Sequence, residues 1–172
     1  MDRMVIIVLL FVGIITASVL WSQKQPEPQK PTPAQPRSAK GESSNSKVSG
    51  LTTHSSGLKY AVLRKGKGAS PKGGQRVKVH YTGWLLKGYN PGGSPIKGKQ
   101  FDSSRKRGVP FQFNLWRRNV IRGWDIGVSM MKKGGRRLFV LPPQLAYGRR
   151  GAGRVIPPNA TLVFDVELLD FK

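Results

Sequence analysis

Val120-Ile121-Arg122-Gly123-Trp124, followed twenty-two residues later by Ala146-Tyr147-Gly148, decides how this chain is read. Ile121, Trp124, Val128 and Met131 recur at helical spacing, which predicts one short helix with its apolar face turned inward. Upstream, Gln75 to Gly83 alternates Val77, Val79 and Tyr81 against Arg76, Lys78 and His80, the pattern of a half-buried strand. Downstream, Thr161 to Phe171 places Leu162, Phe164, Val166 and Leu168 on one face. Leu58 to Arg64, Val109 to Asn114 and Arg136 to Leu141 read as further strands. A single helix packed on one face of an antiparallel sheet predicts an α+β domain over residues 57–172.

Composition narrows the chemistry more than the fold. The 172-residue chain has room for one domain plus extensions. It contains no cysteine, so disulfide and thiolate chemistry are excluded, and with only His54 and His80 a structural zinc site is not expected. His80 lies on the strand face opposite Tyr81, where it reads as a surface or half-buried group. Formal net charge is +22, and from Leu51 onward 24 Lys and Arg stand against 5 Asp and Glu. Such a field attracts nucleic acid, anionic lipid or acidic proteins, or serves solubility alone.

Five motifs occur in order: Val-His-Tyr-Thr-Gly at Val79 to Gly83, Phe-Asp-Ser-Ser at Phe101 to Ser104, Val-Ile-Arg-Gly-Trp at Val120 to Trp124, Ala-Tyr-Gly at Ala146 to Gly148, and Ile-Pro-Pro-Asn-Ala-Thr-Leu-Val-Phe at Ile156 to Phe164. With Phe111 between them, this ensemble over Gly57 to Lys172 resembles the FK506-binding-protein (FKBP) family of peptidyl-prolyl cis-trans isomerases. The resemblance implies a twisted antiparallel β-sheet wrapped around one short α-helix. It implies a rotation about X–Pro peptide bonds of protein substrates that assists folding and needs no cofactor or metal. Carried over, Trp124 forms the floor under the prolyl ring, and Tyr81, Phe101, Phe111, Val120, Ile121, Ile156 and Phe164 line the walls. The Ile121 N–H and the Tyr147 hydroxyl would bond substrate or ligand carbonyls. Asp102 would sit at the rim, held by Tyr81 and Arg107, as an orienting group rather than a general acid. Macrolides of the tacrolimus and rapamycin type are the expected ligands of the same pocket, and a monomer is the expected state.

Met4 to Trp21 is an uncharged apolar run. As a helix its length would be about 27 Å, close to the roughly 30 Å hydrocarbon core of a bilayer. Residues 1–21 are therefore expected to form an uncleaved membrane anchor, with a signal cut near Ala17-Ser18 as the alternative. Counting Lys24, Lys30, Arg37 and Lys40 against Arg3 would keep the carboxy side cytoplasmic. A short apolar segment ahead of a soluble domain nevertheless most often exports it, so the domain is expected in the ER lumen, in the periplasm or at the cell surface. Residues 22–56, rich in Pro, Gln, Ser and Lys, read as a disordered linker.

Several segments depart from the family pattern. Gly88 to Lys97 adds a Gly- and Pro-rich loop between strands. Ala152-Gly153 stand where the family often has His-Pro, which should loosen the loop after Tyr147. Trp116, ahead of Arg117-Arg118, adds an exposed aromatic at the pocket rim. Gly93-x4-Gly98-Lys99 imitates a phosphate-binding loop, but Gln100 replaces the required hydroxyl residue and no buried strand precedes it. Asn159-Ala160-Thr161 is a formal glycosylation sequon beside Pro158. Two other functions compete with the isomerase: a basic module binding a polyanion or anionic lipid, and a non-catalytic scaffold that only grips proline.

Overall fold

The computed structural model describes residues 50–172; segment 1–21 and all but the end of 22–56 lie outside the described residues. In chain order the elements are β1 (Thr52–Thr53), β2 (Lys59–Arg64), β3 (Arg76–Tyr89), β4 (Pro95–Ser103), α1 (Ser104–Arg107), β5 (Phe111–Asn114), α2 (Arg122–Ser129), β6 (Arg136–Leu141) and β7 (Leu162–Phe171). Short 3-10 turns occupy Pro143–Leu145 and Gly148–Arg150. The strands form one antiparallel sheet in the order β1-β2-β6-β7-β3-β4, with β5 also on β3. Pairing starts ahead of Gly57, where Thr52 opposes Tyr60. Among the described residues no helix is long and apolar enough to cross a membrane.

Strand β3 organises the site because its two edges do different work. Along one edge it pairs with β7 from Val77↔Phe171 to Leu85↔Leu162. Along the other, Arg76 to Val79 pair with β5 and Thr82 to Tyr89 pair with β4. Strict alternation then sends Val77, Val79 and Tyr81 inward, at 0 to 3% exposure, to meet Leu162, Phe164, Val166 and Leu168 of β7. Helix α2 packs into this face with Trp124, Ile126 and Val128 buried. Its approach needs glycine on the contact side. A Cβ at Gly123 would lie 2.5 Å from Leu141 Cδ2, and one at Gly127 would lie 2.7 Å from the Phe139 ring. The opposite face of the sheet carries a smaller cluster of Ala61, Leu138, Val140 and Val163.

The hairpin between β3 and β4 differs from the sequence expectation. The strand does not stop at Gly83, and Gly88 to Lys97 is not simply a loop. Gly88 pairs with Ile96 and Tyr89 with Pro95, so the turn is confined to the residues between Asn90 and Ser94. Backbone pairing carries this arm despite its poor strand composition, aided by the Lys97 ammonium 4.3 Å from the Trp84 ring centroid. The phosphate-loop imitation falls on the same hairpin, with Gly98 and Lys99 inside β4 rather than at the start of a helix.

Candidate active site

Trp124 enters the site from the first turn of α2. The N-cap is Ile121, with extended backbone (φ −61°, ψ 146°), and Trp124 N–H donates to the Ile121 carbonyl at 2.9 Å. As the N-cap amide, the Ile121 N–H has no intrahelical acceptor, and none is found for it among the described residues. The indole meets Tyr81, Phe164, Phe113 and Phe111, with ring centroids 4.9, 5.4, 5.8 and 5.9 Å away. Its contacts with Tyr81 and Phe164 are edge-on, at 83° and 88°, the geometry favoured by the ring quadrupoles. Phe101 in turn stands edge-on to Phe164 at 5.5 Å. Trp124 Nε1 is buried with no hydrogen-bond partner among the described residues.

These rings enclose a solvent-open cleft of ≈ 360 Å³ lined by Tyr81, Phe101, Asp102, Phe111, Val120, Ile121, Trp124, Tyr147 and Phe164. Nine of the residues expected from the sequence therefore come together. Arg107 acts through two of them, and Ile156 does not reach the lining. Ile156 is 2% exposed and instead pairs with Ala152 through two backbone hydrogen bonds of 2.9 and 3.1 Å. That bridge, with Asn159 N–H on the Gly148 carbonyl at 2.8 Å, ties the loop after Tyr147, which has Ala152-Gly153 where the family often has His-Pro. None of residues 88–97 lines the cleft.

One charged group touches the cleft, and it is fully engaged. Asp102 accepts from the Tyr81 hydroxyl on Oδ2 and is paired with Arg107 Nη1 on Oδ1. Arg107 Nη2 also donates to the Tyr81 hydroxyl at 3.2 Å. Burial, reinforced by the Asp102 carboxylate, pushes the Tyr81 hydroxyl well above the usual phenol range, so it stays a donor at every physiological pH. Burial costs Arg107 some of its charged form, but its bonds to Asp102 and Tyr81 outweigh that and raise it. The Tyr147 hydroxyl is raised too, by burial first and by Asp102 second, and keeps its proton to donate.

Two supporting residues carried no signal of this role in the sequence. Ser104 is fully buried, and its Oγ accepts from Tyr81 N–H at 2.8 Å and lies 3.0 Å from His80 Nδ1. It ties α1, and hence Arg107, to the strand that carries Tyr81. Its neighbour Ser103 caps α1 by accepting from Lys106 N–H. Asp125 is 5% exposed and accepts from Trp116 N–H at 2.8 Å, pinning the turn before Val120. Only its place beside Trp124 on a short amphipathic helix could have pointed to it.

An antiparallel sheet curled over one helix, with an aromatic cleft between them that lacks thiol, imidazole and amine, is the architecture of a prolyl isomerase domain. Comparison with known proteins agrees. The family model for the FKBP-type peptidyl-prolyl cis-trans isomerase matches residues 67–169. FK506-binding protein 1 of Dictyostelium discoideum is 48% identical over 116 residues, which are 67% of this chain and 99% of that one. FkpA of Escherichia coli K12, an FKBP-type isomerase, is 48% identical over 126 residues, 73% of this chain and 42% of that relative. The crystal structure of FkpA superposes with a TM-score of 0.61, covering 73% of this chain and 53% of that one. The chain thus spans under half the length of some curated relatives and nearly all of another. It belongs to the FKBP-type peptidyl-prolyl cis-trans isomerase family.

Proposed function

We propose that this chain catalyses cis–trans rotation of X–Pro bonds in polypeptides, and so assists protein folding. The observation that carries the reading is the cage of Tyr81, Phe111 and Phe164 closed beneath by Trp124. The uncatalysed rotation meets a barrier of about 18–20 kcal/mol because the planar amide is resonance-stabilised. At the barrier top that resonance is lost and the charge separation between carbonyl and nitrogen collapses. An apolar aromatic cleft stabilises the less polar twisted amide relative to the planar one, which is differential binding of the transition state. The prolyl ring lies on Trp124, while the Ile121 N–H and the Tyr147 hydroxyl hold flanking carbonyls so that only the X–Pro bond turns. Asp102, neutralised by Arg107 and Tyr81, fixes the Tyr81 wall without transferring a proton.

The reaction is tested by following exchange of a cis X–Pro peptide by NMR, with wild-type protein expected to exceed background and Trp124→Ala expected to lose the gain. A wild-type rate equal to background refutes the proposal. Tacrolimus- or rapamycin-type macrolides should compete for the same cleft, read as inhibition of that exchange. The apolar run of residues 4–21 supports an anchored, exported domain, and a monomer is proposed alongside it. Protease protection, amino-terminal sequencing of the mature chain and sedimentation test those three points.

A further inference from the structure

A second cleft adjoins the first across Val120, which lines both. It is wider, ≈ 780 Å³ and open to solvent, and its other walls are Trp116, Arg118, Arg122 and Asp125. Trp116 is 48% exposed, with its indole lying along Gly73 rather than in the core. Among the described residues neither Arg118 nor Arg122 is in an ion pair, although the chain pairs Arg64, Arg105, Arg107 and Arg136. The turn that presents them is built against backbone preference. Trp116 and Arg118 hold φ of 59° and 57°, a region L side chains rarely adopt, and Asp125 secures it by accepting from Trp116 N–H. Asp125 is the one acidic group in the cleft. It is nearly buried and already hydrogen-bonded, so the two exposed guanidiniums set the sign of the mouth.

We infer that Arg118 and Arg122, with Trp116, form a subsite for an Asp or Glu side chain of the substrate, placed within about two residues of the proline whose ring occupies the neighbouring cleft. One valine separates the clefts, and an extended peptide advances about 3.3–3.6 Å per residue, so one substrate segment spans both. Guanidinium forks match carboxylates in geometry and in charge. The inference rests on the isomerase reading only in placing the proline over Trp124. It makes this domain select acidic X–Pro segments, a preference the aromatic cleft itself cannot supply.

The test uses two fluorescently labelled X–Pro peptides that differ only in Glu or Gln beside the proline, bound to the full chain and followed by anisotropy. Pairs this exposed predict about a three- to ten-fold tighter grip on the Glu peptide at low salt, shrinking as salt screens the pair. In R118Q/R122Q the ratio falls to about one, whereas in R149Q/R154Q, altered in the loop after Tyr147, it stays at the wild-type value. Equal wild-type affinities, or a ratio unchanged in R118Q/R122Q, overturns the subsite. A ratio that collapses in R149Q/R154Q instead also overturns it, by moving the selectivity to the other loop. Exchange rates on the Gln peptide are measured in parallel. If they match background the isomerase reading fails, while the affinity ratio still decides the subsite.

Discussion

The two faces of strand β7 were built by one alternation and do opposite things. Leu162, Phe164, Val166 and Leu168 point inward, at 0 to 3% exposure, and complete the aromatic cage with α2. On the outer face, Asp165 takes Arg136 through bonds of 2.7 and 2.8 Å, and Glu167 is shared by Arg64 and Arg105. Although the chain's net charge is +22, Asp102, paired with Arg107, is the one charged side chain that lines the aromatic cleft. The difference teaches that an apolar lining, not charge, is what this sheet is curved to provide. It also sorts mutations: inner-face changes should cost several kcal/mol and reach the chemistry, and changes to the exposed ion pairs around Glu167 on the outer face should do neither.

Trp124→Ala gives the largest expected effect. Four rings lose their common partner, and large-to-small truncation of a buried aromatic costs about 3–5 kcal/mol. Urea denaturation should show that loss, together with isomerase activity at background. Trp124→Phe keeps an aromatic floor and sacrifices no hydrogen bond, since Nε1 has no partner among the described residues, so it should fold and retain part of the rate. A stable, active Trp124→Ala protein would break the contrast between the faces. Gly127→Ala comes next. The added methyl meets the Phe139 ring at 2.7 Å, and overpacking of this kind costs about 1–3 kcal/mol. A lowered denaturation midpoint, with activity per folded molecule nearly kept, would separate packing of the helix from chemistry in the cleft.

Tyr147→Phe sharpens the inner face itself. It removes one donor from the cleft while leaving the ring, so the expected loss is that of a single hydrogen bond, about 0.5–1.5 kcal/mol. This appears as a roughly two- to ten-fold fall in kcat/KM with an unchanged melting temperature. A melting temperature that falls with it would mean the hydroxyl holds the loop rather than the substrate.

What the sequence revealed follows the same division. The inner face was legible because burial enforces period: Val77, Val79 and Tyr81 alternate, and Ile121, Trp124 and Val128 recur at helical spacing. The nine cleft residues came instead from the family resemblance: eight lie in its ordered motifs, and Phe111 stands between them. Strand β4 was not legible, since Pro95 to Gln100 carries no alternation and is held by backbone bonds that leave no mark on side-chain choice. Helix α1 is too short to show a period, though the serines after Asp102 do mark its cap. Ile156 matched a motif, yet its place was set by a backbone bridge to Ala152 that the motif does not encode. Trp116 was visible as an exposed aromatic, but its cleft depends on two left-handed residues that no composition rule would put there.

Glu167→Gln carries the smallest expected effect and the sharpest test of how separate the faces are. Burial raises the Glu167 carboxyl, but Arg105 and Arg64 outweigh it and hold it below its ordinary value of 4.5. A depressed carboxyl contributes stability above its unfolded value and loses it as pH falls through the lower folded one. Wild type and variant should therefore differ at pH 7 and converge in acid. Arg64 and Arg105 are 54% and 37% exposed, so solvent screening keeps the difference near the 0.2–1 kcal/mol of an exposed pair. Thermal melts across that range check it. The same glutamate also touches an element that links the two faces. Helix α1 gives Arg105 to Glu167 and Arg107 to Asp102, and Ser104 bolts it to Tyr81. If kcat/KM for an X–Pro peptide is unchanged in Glu167→Gln, Ser104 and the capped turn hold Arg107 unaided and the faces are independent. A fall beyond the stability change would make α1 a lever from the outer charges to the cleft wall.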